Sequence, residues 1–282
     1  MPKFKLLRDL LVKDGIIHEQ QIYQPGQPPQ EWIGLVHESA YIAAYCQGHM
    51  DEKSQRRIGL PWSDGLVKRT CIAVGGTILT AKLALSYGLA CNTAGGTHHA
   101  FPSYGSGFCI FNDMAIAVRL LQSQQLVKKV LIVDLDVHQG DGTAWIFKDD
   151  ASVFTFSMHC DANFPGRKQT SDLDIPLAAG TGDSIYLRKL SAHLPGLLAQ
   201  IKPDLVIYDA GADPHRDDRL GKLALTDTGL YQRDRFVLES CARQRYPVAC
   251  VIGGGYGKDM NALIYRHSYL HRAAREVYQR YL

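Results

Sequence analysis

No two of the seven cysteines form a C-x-x-C pair. Cys46, Cys71, Cys91, Cys109, Cys160, Cys241 and Cys250 are odd in number and widely spaced. That excludes a disulfide framework and a zinc knuckle, and predicts reduced thiols in a cytoplasmic protein. There is no block of basic residues, and the net charge is only +3, so direct nucleic-acid binding is not expected. No apolar run approaches the roughly 20 residues of a membrane span. The opening MPKFKLLRDLLVKDGII carries charges throughout, with Phe4, Leu7, Leu10 and Leu11 at helical spacing, which is an amphipathic helix and not a signal peptide. The pair Gly75-Gly76 has no lysine at Walker spacing behind it and reads as close packing, not a phosphate loop. Repeats and low-complexity tracts are also absent. What remains is 282 residues, 46% hydrophobic and 21% charged, a soluble globular chain able to bury a large core.

The patterning predicts a helix over 3–13 and a Gln/Pro-rich loop over 18–29, with His18 and Tyr23 at the surface. A short helix near 39–47, a polar connector over 51–57 and a long helix over 62–87 follow. From Gly88 onward strands alternate with helices: strands at 89–93, 130–134, 153–157, 204–209 and 248–252, helices at 111–126, 143–148, 183–200, 227–245 and from 260. Such alternation implies an α/β chain, a single domain over 1–282 with a mostly parallel sheet flanked by helices on both faces.

The stretch Val130 to Thr143, VLIVDLDVHQGDGT, stands out. Four apolar residues read as a strand buried on both faces, and they run into Asp134, Asp136, His138 and Asp141, groups that no apolar core tolerates unpaired. If the backbone stays extended past Val133, Asp134, Asp136 and His138 share one side and could hold a cation. Carboxylate oxygen with imidazole nitrogen suits Zn²⁺ or Fe²⁺. The other strand ends are followed by AGGTHH (94–99), SMHCD (157–161), DAGADPHRDD (209–218) and GGGYG (253–257). Because open parallel sheets bind ligands beyond the carboxyl ends of their strands, these segments can converge on one crevice. The two imidazoles of His98-His99 could there divide acid and base work. Glycines before Tyr256 let the backbone come close and present a phenol.

With GGTHHAFPSYGSGFCIFND, VDLDVHQGDGT, DAGADPHRDDRLG and GGGYG in this order, the chain resembles the histone deacetylase family of the arginase/deacetylase fold, nearest to its class IV and bacterial members. The resemblance runs from about Phe4 to the C-terminus. It implies that Asp136, His138 and Asp213 bind a catalytic Zn²⁺, with Fe²⁺ as the alternative, and that His98 and His99 act as acid and base, oriented by Asp134 and Asp141. It also implies that Tyr256 donates a hydrogen bond to the substrate carbonyl and oxyanion. Gly107, Phe108 and Phe164 would line a narrow tunnel for an aliphatic stem. A monovalent cation, K⁺, would sit against Asp134, the His138 backbone and Ser157. His215 is expected behind the metal ligands or at the surface. The family usually opens with a short strand and a His/Pro-rich segment before the first helix. Here an edge strand or part of the entrance rim is therefore expected to be missing.

The expected reaction is metal-dependent hydrolysis of an N-acylated amine. Nε-acyl-lysine in a peptide or protein is the expected substrate, acetylated and with longer fatty acyl chains allowed, ahead of acetylated polyamines or another small N-acyl amine. An arginase-like ureohydrolase would need two metals and further aspartates, where this chain reads DxDxH and Asp-Pro-His. A non-catalytic binding module would have lost a member of the set, and none is lost. Oligomeric state is not legible.

Overall fold

Val130–Asp134 is buried along its whole length, and its side chains alternate between two hydrophobic clusters: Leu131 and Val133 join one, Val130 and Ile132 the other. A strand buried on both sides needs helices on both sides. The computed structural model, which describes residues 2–282, has them. In chain order the elements are α1 (Lys3–Lys13), a 3₁₀ turn (Glu19–Gln21), α2 (Gln30–Ile33), α3 (Ser39–Cys46), α4 (Glu52–Ile58), α5 (Asp64–Tyr87), β1 (Leu89–Cys91) and α6 (Asp113–Ser123). They continue with β2 (Val130–Asp134), α7 (Asp141–Phe147), β3 (Val153–Cys160), β4 (Leu173–Leu177), α8 (Asp183–Ile201), β5 (Leu205–Asp209), α9 (Asp227–Arg243), β6 (Val248–Val251) and α10 (Met260–Tyr281).

Every strand pairing is parallel, in the order β1-β6-β5-β2-β3-β4. Helices α1, α8, α9 and α10 cover one face of the sheet, and α3, α5 and α6 the other. From β2 the chain steps outward to β3 and β4, then returns to β5 on the other side. The order reverses between β2 and β5, which places the ligand crevice at their carboxyl ends. Asp134 and Asp209 are register partners there.

Several elements differ from the sequence expectation, among them the 3₁₀ turn Glu19–Gln21 and α2. The connector at 51–57 is the helix α4, begun by Asp51, whose side chain accepts the Ser54 N–H, and ended at Gly59 in the left-handed region. Strand β4 is not among the expected strands, and its LDIPL contains Pro176. It is an edge strand paired only to β3, where a missing N–H is tolerated. Strand β3 runs on to Cys160, so Ser157 lies within it. Helix α5 has the length and mean hydropathy of a membrane span, although Lys68, Arg69 and Lys82 interrupt its apolar run. In the fold its Val74, Ile78, Ala81 and Ala84 are buried in the core shared with α6. The close packing expected at Gly75 is present: a Cβ there would come within 2.1 Å of the Gly26 carbonyl oxygen.

Candidate active site and metal centre

The segment after β2 does not stay extended. Each aspartate turns back to accept the amide two residues on: Asp134 Oδ1 from Asp136 N–H at 3.1 Å, Asp136 Oδ1 from His138 N–H at 2.9 Å. Short carboxylate side chains favour such turns over an extended backbone. The expected single row of Asp134, Asp136 and His138 is therefore split. Asp134 faces His98, while Asp136 and His138 face Asp213.

Asp136, His138 and Asp213 offer one donor atom each within 4.8 Å of one another, all buried. His138 Nδ1 lies 2.9 Å from Asp136 Oδ1 and 3.3 Å from Asp213 Oδ2. The remaining lone pairs are directed by the backbone: Val137 N–H donates to Asp213 Oδ1 and Gly254 N–H to Asp136 Oδ2. Gly254 must be glycine, since a Cβ would come within 2.0 Å of Asp213 Oδ2. The residues fit a divalent cation. Asp213 Oδ2 is buried without a hydrogen-bond partner, and burial with the neighbouring Asp136 charge pushes its carboxyl up to about 7. Burial opposes a charge on His138, yet its two carboxylate neighbours lift it to about 10. A cluster that holds on to protons in this way is short of positive charge, and two oxygens with one nitrogen suit Zn²⁺ or Fe²⁺.

The adjacent histidines each meet a carboxylate. His98 Nδ1 lies 2.8 Å from Asp134 Oδ2, and His99 Nδ1 lies 2.6 Å from Asp141 Oδ1, at the first residue of α7. Their rings are 4.1 Å apart, and their pKa values move in opposite directions. Burial would push His98 down, but Asp134 and Asp136 outweigh it and hold it well above the ordinary histidine value. His99 falls to about 4, through burial and the charge of His98, with Asp141 opposing. One imidazole is thus cationic and its neighbour neutral, a pairing that can divide proton transfer from charge stabilisation.

Tyr256 closes the site opposite them. Its amide donates to Asp218 Oδ2 at 2.7 Å, and burial followed by the Asp136 and Asp213 charges keeps its phenol protonated. Phe108 stands 5.7 Å from the Tyr256 ring, and Phe164 meets His99 edge-on at 4.8 Å. Gly107, at φ +52°, leaves no room for a Cβ, which would come within 2.7 Å of His99 and 3.0 Å of Phe164. Gly107, Phe108 and Tyr256 stand at the mouth of a cavity of about 1150 Å³ that runs past Gly95–His99 to α5 and α10, with Phe164 beside it against His99. Ser157 is the register partner of Asp134 on the side away from Asp209, and both border a small internal void of about 10 Å³. His215 is buried, not at the surface, and faces Asp217 and Asp227 instead of the metal donors.

Three buried residues were not singled out from the sequence. Asp209 has both carboxyl oxygens buried without a partner, 3.9 Å from His98 Nδ1. Burial, then the Asp134 charge, raises its pKa well above the usual carboxylate range. A signal existed: LVIYD repeats VLIVD, an apolar strand with a terminal aspartate. Arg233 donates to the carbonyls of Leu135 and Gly211 and to Asp234, tying the loops after β2 and β5 together. Asp113 accepts the amides of Gly96 and Thr97, which fixes the loop carrying both histidines.

The sequence profile of the histone deacetylase domain matches residues 1–271, a span that contains every site residue named above. The chain is similar to an uncharacterized protein of Picosynechococcus sp., with 66% identity over 278 residues, 99% of this chain and 93% of that protein. It is 30% identical to histone deacetylase 2 of Arabidopsis thaliana, over 90% of this chain and 68% of that one. It is likewise 30% identical to the acetoin utilization protein AcuC of Staphylococcus aureus, over 90% and 70% of the two chains. Among solved structures, the crystal structure of the HDA15 HD domain superposes with a TM-score of 0.79, at 22% identity, covering 95% of this chain and 79% of that one.

Proposed function

Because the chain belongs to the histone deacetylase family, and so to a family of deacetylating hydrolases, we propose that it is a metal-dependent enzyme that hydrolyses the amide of Nε-acyl-lysine. The observation that carries this reading is the meeting of Asp136, His138 and Asp213 within 4.8 Å, beside both His–Asp pairs. A divalent ion held there would supply Lewis acidity, polarising the acyl carbonyl and making water easier to deprotonate. The chain's own groups do the rest. Neutral His99, held by Asp141, takes the proton of the attacking water and returns it to the leaving nitrogen as the C–N bond breaks. Cationic His98, held by Asp134, stabilises negative charge as it develops on the acyl oxygen. Tyr256 donates a hydrogen bond from its phenol to that oxygen, a contribution of the order of ~3 kcal/mol for one well-placed donor. The products are a free lysine amine and a carboxylate.

Phe108 and Phe164 give the mouth apolar walls suited to the unbranched lysine stem, and such walls exclude water from the site. We place a monovalent cation, K⁺, at Asp134, the His138 carbonyl and Ser157. Seven free cysteines fit a reducing cytoplasm. The cavity of about 1150 Å³ exceeds what an acetyl group fills, so longer acyl chains are accommodated. Each methylene buried there would contribute about 0.8 kcal/mol.

One panel tests the reading: acetyl-, octanoyl- and myristoyl-lysine peptides beside acetylspermidine, with zinc-loaded enzyme. Preference for acetylspermidine would overturn the substrate class. A kcat/KM that falls with chain length would remove the long-chain part alone. Asp213→Ala and His138→Ala should each lose stoichiometric metal, read by elemental analysis, together with activity. An active variant that keeps one zinc would mean that the metal sits elsewhere.

A further inference from the structure

Lys3 is buried to 9% exposure, with its ammonium 5.4 Å from the Phe4 ring and 5.9 Å from that of Tyr256. Arg69 faces the same Phe4 ring at 5.8 Å, and both cations line the cavity that joins Tyr256 to α5 and α10. Among the described residues neither has a carboxylate partner. The acids that act on Lys3 from a distance are otherwise engaged: Asp136 and Asp213 at the metal centre, Asp218 by the amides of Leu220, Gly221 and Tyr256. The first turn of α1, to which Lys3 belongs, contains no acidic residue and no side-chain cap. A helix start favours negative charge, so a lysine there without a counter-ion is unfavourable twice over, through burial and through the helix dipole. Both penalties are relieved by an anion in the cavity.

We infer that this cavity takes an acyl group ending in a carboxylate, such as glutaryl or succinyl, with Lys3 and Arg69 holding the distal carboxylate. This rests on the deacylase reading and names its acyl class. A linear acyl chain bound at the metal centre passes Tyr256 and ends in the chamber where both cations wait. An ammonium with a guanidinium fork matches the two oxygens of a carboxylate. The apolar walls accept the methylenes between.

The test compares two peptides of one sequence, one carrying glutaryl-lysine and the other its terminal amide, a neutral group of the same shape. With metal-loaded full-length protein, kcat/KM should favour glutaryl by about 10- to 100-fold, the effect of one or more charge-assisted hydrogen bonds. Lys3→Met should remove most of that ratio. Lys3→Arg should keep it, which a role in packing alone would not. As a second readout, free glutarate should raise the melting temperature of the holoprotein more than acetate does, and Lys3→Met should abolish the difference. Equal rates on the two peptides, with a neutral acyl-lysine still hydrolysed, would overturn the carboxylate assignment alone. Equal protection by acetate would do the same, since the cations would then hold the released carboxylate. No turnover of any acyl-lysine peptide would sink the deacylase reading and this assignment with it.

Discussion

His37 gives the sharpest quantitative prediction, because its environment fixes both its tautomer and its charge. Its Nε2 accepts the Asn112 amide at 2.8 Å, so Nδ1 carries the proton and donates to the Phe101 carbonyl at 3.0 Å. Asn112 then caps α6 and reaches Thr143 and Ala100. One neutral imidazole thereby clips together the loop that carries His98 and His99. Burial depresses its pKa from 6.5 to about 4. Between those values the unfolded chain binds a proton that the folded chain refuses. The stabilisation is therefore complete above about pH 6.5, falls as pH falls, and is gone below about 4. The difference, 6.5 − 4, corresponds to ~3 kcal/mol in full and ~2 kcal/mol between pH 8 and pH 5. His37→Gln cannot titrate. It should be less stable than the wild type at pH 8 by about 1–3 kcal/mol, through imperfect replacement of two buried hydrogen bonds. On going to pH 5 that deficit should shrink by ~2 kcal/mol. Urea unfolding of both metal-free proteins at fixed ionic strength, in steps from pH 8 to pH 5, measures the gap directly. A gap that stays constant across that range would refute the neutral, clamping imidazole.

Tyr256→Phe should fold and bind metal as the wild type does but lose ~100-fold or more in kcat, the usual result of deleting one oxyanion donor; wild-type turnover would show that the phenol is not aimed at the reacting oxygen. Asp209→Asn should raise the melting temperature, and by more at pH 8 than at pH 5. The folded state keeps a proton on Asp209 that the unfolded chain releases above the ordinary carboxylate pKa, so the wild type loses stability as pH rises and the amide does not. A variant less stable at every pH would mean that the carboxyl has a partner the amide cannot serve.

Composition and period fixed a good part of this protein before any contact was known. VLIV reads as a strand buried on both faces and 204–209 as a strand, and the two are the central pair of a parallel sheet. The segments after β1, β2, β5 and β6 do meet at one rim, because a parallel sheet brings its carboxyl ends to the same side, whereas Ser157–Cys160 lies within β3. The pairing of His98 with Asp134 and of His99 with Asp141, expected from motif resemblance, is present as two short contacts. Local sequence also carries the Asp51 cap and Gly59 stop of α4.

Other features exist only in three dimensions. Pro176 argues against a strand until its edge position is known, since only there is the missing N–H harmless. The apolar length of α5 has the same composition as a membrane span, and only its neighbours in the core say what covers it. The extended row expected for Asp134, Asp136 and His138 gives way to two turns, because each aspartate accepts the backbone amide two residues on. Opposite protonation of His98 and His99, two adjacent and identical side chains, depends on which carboxylates and which cation lie beside each ring. Lys3 is a helix-face lysine in the sequence and a buried cation beside Tyr256 in the fold. Charge and hydrogen bonding act over a few ångströms between residues far apart in the chain, so the elements were legible in the sequence and the electrostatics of the site were not.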